Sequence, residues 1–270
     1  MTEPQVWAVR YGTRTTTHAE SYLNWHVYGE PDAAFAMDYF FWVVRDAAGA
    51  VTLLDCGFDP DVGRRRNRET LVDPIEALRH LGIDPGTVSR IVVSHAHYDH
   101  IGNLDRLPAA EIVMTARELE FWTGPHAGRT QFAHSTEADE LATLAKARDD
   151  GRITTFSGSL RLGELELREV GGHTPGQLVA LAPVAGGRAV LAADALHFYD
   201  EQDRDRPFFV VADLEAMYAG FDLLAELAAP ADHVLVAGHD ADVGRRFPGR
   251  ADGTGIDDLV ISIDAQGGPR

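Results

Sequence analysis

Ser94-His95-Ala96-His97-Tyr98-Asp99-His100, directly after the apolar run Ile91-Val92-Val93, decides how this chain is read. Three imidazoles and a carboxylate fall within six residues, on a turn leaving a predicted strand. Such a turn points several side chains at one spot, and neutral imidazoles with carboxylates suit Zn, Fe, Mn or Co. The turn therefore directs the search to the missing ligands.

Further candidates each sit at the end of a predicted strand. His173 lies in Gly171-Gly172-His173-Thr174-Pro175-Gly176, after the strand 165–170. Asp194 follows Val190-Leu191-Ala192-Ala193, and His239 follows Val234-Leu235-Val236-Ala237-Gly238. One strand-end histidine is ordinarily structural. Four strand ends that all carry His or Asp point to one metal-binding edge.

The rest of the chain supplies the frame. The aromatic stretch 5–30 predicts loops and short strands. Met37 to Arg45 and Val51 to Asp55 read as a hairpin about a turn containing Gly49. Asp73-Pro74 opens a helix with an N-cap and a proline at its first position, and Gly82 stops it. Val88 to Val93 reads as a buried strand. A short strand 111–114 and a helix Ala116 to Trp122 follow the histidine turn, then a loop from Gly124 to His134. Ser135 or Thr136 is expected to cap a helix running to about Arg148. The signal is β from 152 to 193, then helical after Asp213, and 233–236 closes the core. No repeat or Pro/Gly/Ser linker divides the chain. One domain over 1–270 is expected, with two sheets packed face to face and helices on the outer faces.

Composition sets the partners. Twenty-four basic against 42 acidic residues give a net charge of −18, which disfavours nucleic acid. No apolar run approaches a membrane span. A single cysteine, Cys56, excludes an intrachain disulfide framework. With no basic-then-apolar leader at the N-terminus, a cytoplasmic protein is expected. A small-molecule substrate is the expected partner, and a homodimer stays open. The basic cluster Arg64-Arg65-Arg66-Asn67-Arg68 reads as a solvated loop, with an anion contact as the alternative, and Arg204 to Pro207 as a loop beside the site where an arginine could meet a carboxylate. His18, His80, His134 and His233 show no partner pattern and read as structural or solvated.

On these residues the chain resembles the metallo-β-lactamase superfamily. His95-x-His97-x-Asp99-His100, His173, Asp194 and His239 stand in the family's order, over about residues 37–240, and Asp55-Cys56-Gly57 is similar to its early Asp-Thr-Gly motif. The resemblance implies an α/β, αββα sandwich with a dinuclear site at one edge. It assigns His95, His97 and His173 to one divalent metal ion, Asp99, His100 and His239 to a second, and Asp194 to both. Zn2+ is the first expectation, with Fe, Mn or Co compatible. Asp55 is expected to orient a ligand rather than bind metal.

The Gly-His-Thr-Pro-Gly motif and the spacing resemble the N-acyl-homoserine lactonase branch most. That implies opening of a small lactone ring by a metal-bridging hydroxide, with Asp99 protonating the leaving oxygen. A glyoxalase II-like thioesterase, or another metal-dependent ester or amide hydrolase, is the alternative. In the branch's best-known members a tyrosine three residues after the bridging aspartate helps bind the substrate carbonyl. Here that position is His197, whose N–H is expected to donate instead or to exchange a proton, with a supporting or packing role as the alternative and Tyr199 as a fallback donor. Trp25, His26, Tyr39, Trp122, His126, Phe198, Phe208 and Phe209 are the expected lining of the substrate pocket.

Overall fold

The computed structural model describes residues 3–266. Its first sheet has eight strands, running in space as Val260–Ile263, Gln5–Thr17, Ala34–Arg45, Val51–Leu54, Arg90–Val92, Glu111–Thr115 and Ile153–Phe156, with Glu69–Thr70 paired beside Gln5–Thr17. The second has five, ordered His233–Val236, Gly187–Leu191, Leu178–Val184, Leu165–Glu169 and Ser159–Leu162.

The two sheets bury both faces of the central strands, and their alternation shows how. Along Ala34–Arg45, Phe40, Trp42 and Val44 enter the core shared with the second sheet, while Tyr39, Phe41 and Val43 face the other way. That other face packs against Ile75 and Leu78 of the helix Pro74–His80 and Leu144 of the helix Ala138–Asp149. On the far side of the second sheet, Met217, Phe221 and Leu224 of the helix Leu214–Ala228 supply the cover. The result is the expected αββα layering.

The hairpin forms as read: Ala34–Arg45 and Val51–Leu54 pair antiparallel from Arg45 opposite Val51. Asp73 caps Pro74–His80 by accepting from the Ile75 N–H at 2.8 Å. Two expectations are corrected. The 5–30 stretch holds a 13-residue strand, Gln5–Thr17, rather than short pieces. Val6 and Ala8 feed one core while Trp7, Val9 and Tyr11 feed the other, so two-sided burial erased the polar alternation that marks a half-buried strand. The helix expected to be capped by Ser135 or Thr136 begins at Ala138, and its N-cap Glu137 makes no capping bond. The Glu137 carboxylate is instead held by Arg66 at 2.7 Å and Arg65 at 3.1 Å.

The topology brings the strand ends together. Leu54, Val92, Glu169, Leu191 and Val236 close the strands preceding Asp55, the histidine turn, His173, Asp194 and His239. All five C-terminal ends meet at one edge of the sandwich. Among the described residues, no helix is long and apolar enough to cross a membrane.

Candidate metal centre

At that edge, seven buried side chains converge. His97 Nδ1 lies 3.0 Å from His95 Nε2 and 2.9 Å from His173 Nε2. On the other side, His100 Nε2 and His239 Nε2 each stand 3.7 Å from Asp99 Oδ2. Asp194 sits between the two sets. Its Oδ2 faces His173 Nε2 at 3.4 Å and His95 Nε2 at 3.8 Å, while its Oδ1 faces His239 at 3.0 Å and His100 at 3.2 Å. His95-His97-His173 and Asp99-His100-His239 each gather ligand atoms within 4.8 Å of one another.

The donor set fits cations, and the surrounding hydrogen bonds explain why. His173 Nδ1 lies 2.8 Å from the Val210 carbonyl and His239 Nδ1 2.7 Å from the Asp38 carbonyl, so each Nδ1 must carry the proton. His100 Nδ1 faces Asp55 Oδ2 at 2.7 Å. The Ser94 hydroxyl donates to the same Asp55 oxygen at 2.7 Å, leaving it to accept from His95 Nδ1 at 3.0 Å. In their neutral forms all four rings therefore turn an Nε2 lone pair inward, toward a carboxylate that can only accept. His100 Nε2 is buried without a hydrogen-bond partner. Lone pairs and carboxylate oxygens packed this closely repel one another unless cations lie between them, and such outer partners are what fix ligand tautomers at metal centres.

The protonation tendencies agree. Burial, reinforced by neighbouring imidazoles, pushes His95 and His97 well below their ordinary value and His173 down to about 3. These rings are therefore neutral donors. At His100 burial is outweighed by Asp194, Asp55 and Asp99, which raise it. Three buried carboxylates there call for positive charge.

Asp55 touches His100 Nδ1 and Ser94 rather than the inward-facing imidazole nitrogens. It adopts a left-handed φ of 64°, and its Oδ1 also accepts from the Ser94 N–H at 2.7 Å. One carboxylate thus orients His100 directly and His95 through Ser94.

Sequence reasoning missed Glu118, which is fully buried beneath His95, His97 and His173. Its Oε1 accepts from the Ala96 N–H at 2.9 Å and Trp122 Nε1 at 2.6 Å. Its Oε2 accepts from the Thr174 hydroxyl and the Gly176 N–H, both at 2.9 Å. One side chain thereby ties the turn between His95 and His97 to the loop carrying His173. The glycines of that loop are steric necessities: a Cβ on Gly176 would fall 2.3 Å from the Glu118 backbone nitrogen, and Gly172, at φ 89°, would meet Met217 at 2.7 Å.

A cavity of about 100 Å³ opens over His97, Asp99, His173 and Asp194. Of the expected pocket residues, Tyr39, Phe208 and Phe209 line it. The others are corrected. Trp122 lies edge-on beneath His97 and is committed to Glu118. Trp25 is buried against Tyr22 and Tyr28, and Phe198 packs on Phe35. His26 and His126 are exposed away from this cavity. Tyr199 uses its hydroxyl to donate to the Leu235 carbonyl at 3.1 Å, so it is no substrate donor.

His197 is also corrected. It is fully buried and stacked on Phe208 at 3.8 Å, and it is not among the cavity-lining residues. Its Nε2 lies 3.0 Å from Asp194 Oδ2 and its Nδ1 3.2 Å from Glu201 Oε1. Those two carboxylates outweigh burial and raise its pKa to about 9. It approaches Asp194 from outside the cavity rather than from within it.

Three basic-region readings change too. His134, Arg66 and Arg68 line the cavity instead of being merely solvated. Arg206 pairs with Glu30 and lies over Trp25, away from the cavity. His18, His80 and His233 are structural: His18 stacks with Trp25 and Phe35, His80 bonds the Thr254 carbonyl and His233 the Leu227 carbonyl.

The sequence profile of the metallo-beta-lactamase superfamily matches residues 38–239, from within the first hairpin to His239. The chain belongs to the metallo-beta-lactamase superfamily. Within it, the chain is 25% identical over 190 residues to the N-acyl homoserine lactonase AttM of Rhizobium radiobacter and 27% identical to that of Azorhizobium caulinodans. Each match covers 64% of this chain and 66% of the relative, just under two thirds of the relatives' length. Among solved structures, a quorum-quenching N-acyl homoserine lactone lactonase superposes with a TM-score of 0.72 at 17% identity, covering 90% of this chain and 94% of its own. AidC, a dizinc quorum-quenching lactonase in complex with a product, gives 0.67 at 19%, covering 88% and 87%. The hydrolase AbOPH gives 0.72 at 18%, covering 98% and 95%. These structural likenesses establish the shared metallo-beta-lactamase fold.

Proposed function

We propose that this chain is a dinuclear-metal-dependent hydrolase that opens a small lactone ring, an N-acyl-homoserine lactone or a related one. The observation that carries the reading is the convergence of two donor sets on the two oxygens of Asp194, beneath a narrow cavity. Curated relatives with lactonase activity support the choice of reaction. His95, His97 and His173 would hold one ion, Asp99, His100 and His239 the other, and Asp194 both. Zn2+ is the first choice for this nitrogen-rich set, with Fe, Mn or Co within its range. When bound, the ions would supply Lewis acidity and lower the pKa of water in the site.

The chain's own groups do the rest. Asp99 lines the cavity floor beside the ligand nitrogens, where its carboxylate can carry the proton released by water to the leaving ring oxygen. That transfer turns the broken ester C–O bond into a hydroxyl and a carboxylic acid. His197 holds Asp194 and is a positioning residue, tied in turn to Glu201, whose Oε1 accepts from the His197 and Phe198 N–H groups. Phe208 and Phe209 present an apolar wall against which the uncharged part of the ester would lie.

The proposed substrate is thus a small molecule, and a homodimer stays open for its assembly. Cys56 is buried and unpaired, which accords with the reducing cytoplasm as the proposed location. The test is base consumption on a lactone panel, beside an S-acyl glutathione thioester and a chromogenic β-lactam. Lactone opening abolished by EDTA and restored by Zn2+ is expected. Cleavage of the thioester alone would replace this reading with glyoxalase II-like chemistry.

A further inference from the structure

Among the described residues, two arginines at the mouth of the candidate site have no carboxylate within ion-pair distance. Arg14 and Arg68 both line the cavity over Asp99 and Asp194, and both are partly buried. Among the described residues the Arg14 side chain makes one hydrogen bond, a weak one from Nε to Met37 Sδ at 3.3 Å. Arg68 donates to the Tyr98 hydroxyl at 3.0 Å and to the Arg66 carbonyl at 2.7 Å, both uncharged acceptors. Among the described residues no carboxylate oxygen lies within 4.0 Å of either guanidinium. Arg66, on the same wall, shows the contrast: its guanidinium is saturated by Glu137 and the carbonyls of His134 and Thr136.

This arrangement is costly in a chain with 42 acidic and 24 basic residues, where partners abound. A guanidinium is a planar fork matched to two oxygens of a carboxylate or phosphate, and partial burial without such a partner forgoes that match. The cavity therefore has the carboxylates of Asp99 and Asp194 on its floor and two guanidinium groups without an ion-pair partner on one wall. Tyr39 lines the same cavity with the Arg68 guanidinium 6.0 Å over its ring, so the arginines and the ligand carboxylates share one compartment.

We propose that the substrate carries an anionic substituent, a carboxylate or phosphate, which Arg14 and Arg68 bind while the ring lies on the metal floor. This rests on the lactonase reading and narrows it: the preferred lactone is charged, not a plain alkyl-chain one. The apolar wall of Phe208, Phe209 and Val210 faces the uncharged part of the same substrate.

The test uses the metal-loaded enzyme and three γ-lactones sharing one linker, ended in a methyl ester, a carboxylate or a phosphate monoester. At least one charged lactone should exceed the ester by about 10–100-fold in kcat/KM, expressed mainly in KM, and the advantage should shrink as salt is raised. Whichever charged end wins identifies the anion. In Arg14→Met, and independently in Arg68→Met, the charged-to-neutral ratio should fall toward one. Equal kcat/KM across the three, or an Arg14→Met loss that is the same for charged and neutral lactones, would overturn the proposal. Calorimetric binding of the ring-opened products, charged-ended against ester-ended, makes the comparison without turnover. If no lactone is opened but the charged product binds more tightly through Arg14, the lactonase reading fails and the anion site stands. If lactones are opened with no preference for charge, the anion site fails and the lactonase stands.

Discussion

Replacing Glu118 by glutamine probes how the first donor set is held. The carboxylate collects four donors, two on each oxygen. An amide offers one acceptor oxygen and an N–H pair. The Thr174 hydroxyl can rotate to accept from that pair, whereas the Gly176 N–H cannot, so the favoured orientation strands it against another donor. Losing one or two bonds to a charged acceptor, at ~1.5–3 kcal/mol each, outweighs the relief of no longer burying the charge, which raises the Glu118 pKa. The expected loss of stability is ~2–4 kcal/mol, read as a lowered midpoint in denaturant. The damage should also be local. Ala96 lies between His95 and His97, and Thr174 follows His173, so only one of the two ion sites loses its support. Metal titration should show one ion per chain weakened by about 10–100-fold while the other stays tight. A Glu118→Gln protein with unchanged denaturation and two equally tight ions would refute the assignment.

Other substitutions separate chemistry from architecture. Asp99→Asn should keep both the fold and much of the metal while lactone turnover falls by at least ~100-fold; wild-type turnover would remove Asp99 as proton carrier. Tyr199→Phe should cost ~1 kcal/mol through loss of the bond to Leu235 and leave KM intact, checked by denaturation alongside steady-state kinetics. Glu140 is buried with neither carboxylate oxygen hydrogen-bonded, and burial followed by the charges of Glu137 and Asp99 lifts it from 4.5 to about 8. The folded state then binds an extra proton between those values, so this group's contribution to stability falls as pH rises from about 4.5 to 8. Glu140→Gln should be more stable than wild type by up to ~4–5 kcal/mol above pH ~8 and by under ~1 kcal/mol near pH ~5. Parallel unfolding curves at the two pH values would contradict that.

The histidine turn was legible because its chemistry is local: four ligand-type side chains in six residues leave few alternative readings. His173, Asp194 and His239 were legible because each ends an apolar strand. What escaped depends on distance and burial. Glu118 looks like any helical glutamate beside Glu120, and only the fold turns it toward Ala96, 22 residues back, and Gly176, 58 residues on. Arg14 and Arg68 sit more than fifty residues apart in sequence, and their significance lies in partners they lack. His197 has the expected spacing from Asp194, but spacing does not say which face of Asp194 a ring will approach. The strand Gln5–Thr17 was hidden by burial on both faces, which removes the periodicity a reader relies on.

Metal content per chain tests the two-ion centre most directly. After loading with Zn2+ and exhaustive dialysis, elemental analysis should find two ions per chain in the wild type, falling to one or fewer in Asp194→Ala, because that carboxylate serves both donor sets. A wild type retaining one ion or none, or an Asp194→Ala protein that still holds two, would contradict it.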